Sequence, residues 1–104
     1  MYQFKEFKKP QRDKKNDLHY NGRQLTFSKS FWVGKESLVY ARLYFDGANI
    51  VGIKFHDKPQ DDCFRVKVYN GYPKIFAVNM PTSVGRFDNI EVTNEGVYVF
   101  ALRN

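Results

Sequence analysis

LVYARLYFDGANIVGIKF, residues 38–55, is the stretch on which the fold turns. Val39, Ala41, Leu43 and Phe45 fall on one side of an extended chain, with Leu38, Tyr40, Arg42 and Tyr44 on the other. A two-residue period is that of a β-strand. Ile50 to Phe55 then has the β-branched and aromatic enrichment of a second strand. Asp46-Gly47 lies between the two, and Asp-Gly favours a two-residue type I′ turn because both central positions need positive φ. The stretch predicts a β-hairpin.

Working outward, FRVKVY (64–69) alternates in the same way, with Phe64, Val66 and Val68 opposed to Arg65, Lys67 and Tyr69. VYVFAL (97–102) is a further strand, and LTFSKSF (25–31) and KIFAVNM (74–80) alternate more loosely. Asn21-Gly22, Asn70-Gly71 and Glu95-Gly96 punctuate these runs as turns. No helical window of normal length occurs; FWVGKES (31–37) and MPTSVGRF (80–87) each have room for a single turn. The fold class expected is all-β.

Tyr-Asn-Gly occurs twice, at 20–22 and 69–71, and sliding the chain on itself by 49 positions aligns more than the triplet. Phe27 meets Phe76, Asp46-Gly47 meets Glu95-Gly96, and Ile50 to Lys54 meet Val99 to Arg103 with no gap. Identities are only five in 35 pairs, so the shared placing of turns and apolar positions carries the comparison. The alternative is that short-hairpin β proteins look self-similar. The expectation is one β domain, residues 18–104, made of two tandem hairpin units at about 20–55 and 64–103, joined by HDKPQDD (56–62). One unit cannot cover its own apolar faces, whereas two can close into a small compact barrel.

Residues 1–17 are expected to be a basic arm. Residues 1–23 carry seven bases against three acids; the other 81 carry ten against eight, within a total of +6. Such an arm attracts polyanions, nucleic acid above all; the plainer reading is a solvated tail. Tyr2, Phe4 and Phe7 are candidates to pin its first residues to the body. Cys63 is the sole cysteine, which leaves no intrachain disulfide. No apolar run reaches the roughly 18–20 residues of a membrane span. A cytoplasmic protein without membrane attachment is the expectation.

The hairpin 38–54 resembles the C-terminal hairpin of the AbrB/MazE/SpoVT swapped-hairpin DNA-binding family: an alternating strand, an acidic-Gly turn, and a strand ending in Lys or Arg. FDNIEVTNEGVYVFALR (87–103) repeats that shape, and GRQLTFSK (22–29) is similar to the family's first hairpin, one residue longer than its common spacing. GYPKIFAVN in the second copy lacks the Arg, and the family's middle helix is reduced to almost nothing. The resemblance spans about 84 residues. It implies an interleaved barrel, built in the family from two chains and here within one, with DNA contacts from the first hairpin. By position these are Arg23 and Lys29, with Lys74 at a similar place in the second copy.

The candidate nucleic-acid-binding residues are Lys5, Lys8, Lys9, Arg12, Lys14 and Lys15 of the arm, Arg23 and Lys29 of the first hairpin, and Arg65 and Lys67 of the alternating strand. Arg65 and Lys67, with Tyr69 and the stripe Tyr40, Arg42, Tyr44, interleave bases and aromatics as a single-strand binder does; cross-strand sheet stabilisation is the plainer reading. His56, Asp57, Asp61, Asp62 and Cys63 lack paired metal-ligand spacing and read as a solvated turn. His19 and His56 sit in no catalytic context, and no phosphate-cradling glycine loop occurs. Trp32 is expected in the core.

No catalytic residue, metal or cofactor is therefore expected. The leading function is a non-enzymatic nucleic-acid-binding protein, a regulator or accessory factor with DNA favoured over RNA, and double-stranded DNA foremost. The rival is a protein-interaction module or inhibitor of phage or mobile-element type that binds an acidic partner surface. Either a monomer or a homodimer is compatible with the sequence.

Overall fold

The computed structural model describes residues 1–5 and 16–103. Nine strands and one helical turn follow in chain order: β1 (Asp17–Tyr20), β2 (Leu25–Phe27), α1 (Lys29–Trp32), β3 (Tyr40–Asp46), β4 (Ile50–His56), β5 (Cys63–Arg65), β6 (Lys67–Tyr69), β7 (Tyr72–Ile75), β8 (Gly85–Val92) and β9 (Val97–Leu102). All pair antiparallel in one sheet of order β5-β3-β4-β9-β8-β1-β2-β7-β6. The fold is all-β, as expected.

The sheet curls into a nearly closed barrel, and FRVKVY brings its two edges together. β5 and β6 are neighbours in sequence but occupy opposite edges of the sheet. At Val66 the chain leaves β3 and joins β7; the Val66 N–H donates to the Val39 carbonyl at 2.7 Å as it crosses. A run that alternates as one strand thus serves two neighbours, which removes long free edges.

The barrel is filled from within by alternate residues: Leu18 and Tyr20, Leu25 and Phe27, Val51, Ile53 and Phe55, Ile75, Phe87 and Phe100. The single turn α1 contributes Phe31 and Trp32 to this core. Phe31 is the hub, with ring centroids 5.4 Å from Phe27, 5.3 Å from Phe100 and 5.1 Å from Tyr98. Such clusters bury large area and add edge-to-face attraction. Among the described residues no polar or charged residue is wholly buried.

Taking β5 and β6 as one strand, the chain is two runs of two hairpins. β2 pairs β7 and β4 pairs β9, while β1 pairs β8 just as β5 pairs β3. Every one of these pairings survives exchange of the two runs. The 49-residue shift holds at the last strand, where Val51 stands opposite Phe100 and both are buried. It does not hold in the first hairpins: Phe27 is buried but Phe76 is 38% exposed. The phase already differs before the turns, where Tyr20 is buried and Tyr69 exposed, and the loops differ in length as well. Tyr20↔Leu25 encloses four residues, and Asn21 Oδ1 accepts from the amides of Arg23 and Gln24. Tyr69↔Tyr72 encloses two, with φ of +52° at Asn70 and +82° at Gly71, the type I′ signature. Because side chains alternate, an odd change in phase turns one set outward.

Three further expectations are corrected. The hairpin joining β3 and β4 closes at Asp46↔Ile50 over three residues, not two. The arm's boundary is earlier than residue 17: Asp17 belongs to β1 and Asn16 accepts from the Asn89 amide, so the first run begins before Tyr20. Tyr2 and Phe4 are exposed and touch each other, with centroids 5.8 Å apart, rather than pinning the chain to the barrel.

Candidate nucleic-acid interface

The outward face of β8, β1, β2, β7 and β6 carries a lateral row. Arg86 pairs with His19, His19 with Thr26, Thr26 with Lys74, and Lys74 with Lys67. Each lies beside an inward residue of its strand, Phe87, Leu18, Leu25 or Ile75 among them, so core burial fixes the row outward. Four interstrand steps of about 4.8 Å make it roughly 19 Å long. No acid interrupts it.

A groove of about 620 Å³ runs over this row, lined by Asp17, His19, Thr26, Lys29, Tyr72, Lys74 and Arg86, among others. Lys29 enters from α1. Ser28, which precedes the turn, donates its amide to the Asp17 carbonyl at 2.9 Å and accepts from the Asp17 amide through Oγ at 3.2 Å. Those bonds tie α1 to β1, and the Lys29 ammonium lies 4.6 Å from the Tyr72 ring centroid.

The acids nearby are already engaged. Arg103 donates to Asp17 at 2.9 Å and from Nε to both Asp88 oxygens at 3.1 Å; those carboxylates push its pKa further up. Arg86 is 3.9 Å from Asp17. Among the described residues, Lys29, Lys67 and Lys74 have no ion-pair partner. No family model, curated protein or solved structure matches the chain. The interface is therefore read from its own geometry.

The structure gathers some of the expected residues and separates others. Lys67 joins the row and Lys29 the groove. Arg23 lies on a second hollow of about 600 Å³, between the first Tyr-Asn-Gly loop and Phe76–Asn79. Arg65 is held by Tyr40, its guanidinium carbon 5.8 Å from that ring's centroid and Nη1 donating to the hydroxyl at 3.5 Å. Lys5 is exposed. Lys8, Lys9, Arg12, Lys14 and Lys15 lie outside the described residues. Sequence reasoning missed His19 and Arg86, and it noted Lys74 without counting it as a site. Alternation against Leu18, Phe87 and Ile75 marks all three as outward; only the registers make them neighbours. Among the described residues no group of three or more His, Cys, Asp or Glu side chains comes together as a metal site. No helix of the described chain is long and apolar enough to cross a membrane.

Proposed function

We propose that this chain is a small non-enzymatic nucleic-acid-binding protein, a regulator or accessory factor of DNA. The observation that carries the reading is the row Arg86–His19–Thr26–Lys74–Lys67, with Lys29 above it and the local carboxylates held by arginine. Lys29, Lys67 and Lys74, which have no ion-pair partner among the described residues, suit successive phosphates. The basic segment Lys5–Lys15 adds charge from the same chain. The likeness to the swapped-hairpin DNA-binding family, with one chain in the place of two, rests on the sequence pattern of the hairpins. A cytoplasmic location and a monomer or homodimer go with this reading.

The test is a titration of labelled nucleic acid from about 50 to about 200 mM salt. Engagement of roughly four cations weakens affinity about 50- to 150-fold over that range. The pair Lys67→Gln/Lys74→Gln lessens the slope by about two. Absence of binding at low salt overturns the reading. It would favour the protein-partner alternative, for which the observation is a different surface: Phe45, Ile90 and Val92 are more than half exposed near the far hairpins.

A further inference from the structure

The β6–β7 hairpin combines a pair that opposes its folding with a set of rings left open to solvent. Lys67 and Lys74 stand directly opposite each other, and like charges at opposed ladder positions destabilise a sheet. One pair further along the same outward face, Tyr69 stands opposite Tyr72. Tyr69 is 51% exposed, Tyr72 43% and Phe76 38%, with Tyr69 and Phe76 edge-on at 5.3 Å. Elsewhere Phe27, Phe31 and Phe100 fill the core. Here the rings are presented to solvent beside three ammonium groups.

The third ammonium is that of Lys29, which crosses the second Tyr-Asn-Gly turn. A Cβ on Gly71 would lie 3.1 Å from Lys29 Cε, so glycine serves both the positive φ and the passage of this side chain. Positions i and i+2 of a strand are about 7 Å apart. The lysine pair and the tyrosine pair are therefore separated on the scale of the phosphate-to-base reach of one nucleotide. An anion between Lys67 and Lys74 relieves their repulsion, and a base face meets the adjacent ring. Duplex DNA, the expectation from the arm and the family likeness, keeps its base faces stacked inside. An unpaired strand exposes them.

We propose that the β6–β7 hairpin binds unpaired nucleotides of a single strand, with phosphate at Lys67 and Lys74 and bases stacked on Tyr69 and Tyr72. The inference rests on the nucleic-acid reading above and specifies its ligand. DNA and RNA share this chemistry. The experiment uses the full chain with oligo-dT, oligo-U and a mixed-sequence duplex, each of about 15 units, followed by fluorescence anisotropy. Both oligomers, or one of them, bind at least about tenfold tighter than the duplex; a preference between them assigns the sugar. Tyr69→Ala/Tyr72→Ala weakens oligomer binding about 10- to 100-fold with the salt slope unchanged, and Tyr69→Phe/Tyr72→Phe restores it.

Duplex binding equal to or tighter than oligomer binding overturns the inference and leaves the proposed function standing. So does full oligomer affinity in the folded alanine variant. Absence of binding to all three probes at low salt overturns both. The comparison of oligomer with duplex needs no variant, so it decides the matter even if the alanine pair fails to fold.

Discussion

Tyr20 and Tyr69 open identical Tyr-Asn-Gly triplets, yet Tyr20 is 1% exposed inside the barrel and Tyr69 is 51% exposed on its outer face. The Tyr20 hydroxyl accepts from the Met80 amide at 2.9 Å and lies 3.3 Å from the Val78 carbonyl, fastening the chain after β7 to the end of β1. Tyr69 instead meets Phe76 at the surface. One triplet belongs to the core and the other to the candidate interface.

Removing only the Tyr20 hydroxyl, as Tyr20→Phe, leaves a part-buried amide without its acceptor. The expected loss is about 1–2 kcal/mol. Tyr69→Phe is expected to change stability by less than about 0.5 kcal/mol. Urea midpoints at constant m-value check both; equal effects would show that the hydroxyls share one role.

Gly52→Ala tests a close approach within the wall. A Cβ on Gly52 would lie 3.3 Å from Tyr44 Cβ on β3 and 3.1 Å from Val97 Cγ1 on β9. Tyr44 Cβ is fixed by its strand, so β3 and β4 must shift. Overpacking of this kind costs about 1–3 kcal/mol. A thermal melt unchanged by the substitution would mean that the wall yields freely.

Much of this fold is legible locally. Ala41 and Leu43 in β3, and the Val51, Ile53, Phe55 set in β4, announce strands because one face is more buried than the other. The break at Val66 is not legible: alternation continues through it unchanged, and only the partner strand differs on either side. The row is hidden for the same reason. Lys67 and Lys74 are visibly outward, but that they oppose each other follows from a two-residue turn. That Thr26 joins Lys74 to His19 follows from a pairing between the two runs. Nor did the repeated triplet disclose its change of phase, because Asn-Gly suits a turn whether the tyrosine before it faces inward, as Tyr20 does, or outward, as Tyr69 does.

Arg103→Gln is expected to act at a distance from phosphate. Arg103 holds Asp17 and Asp88, and Asp17 lines the groove. Without the guanidinium, negative charge is freed beside Lys29 and Arg86. Nucleic-acid affinity falls, more at low salt than at high, because the added repulsion is screened. Asp17→Asn in the same background restores affinity. If affinity falls without that rescue, the loss is structural rather than electrostatic.

Lys35 gives a pH signature in the alkaline range. Its ammonium donates to the Phe31 carbonyl at 2.7 Å and lies 4.4 Å from the Phe31 centroid and 5.1 Å from that of Tyr98. Burial pushes its pKa below the ordinary lysine value of 10.5, and nearby Glu36 opposes the change in part. The folded state then holds this proton less tightly than the unfolded state. Between the lowered value and 10.5 the unfolded chain binds more protons, so raising the pH through that window favours folding at this site. Below the window Lys35 is charged in both states and its effect on stability is constant. Lys35→Met lacks the titration and keeps every other group. The stability of the parent relative to Lys35→Met should therefore rise as pH climbs from about 8 toward the lysine range. Paired urea denaturations along that series measure the difference, with the other titrations cancelling between the two proteins. A difference that falls with pH would mean that the rings and the Phe31 carbonyl favour the charged amine by more than burial opposes it.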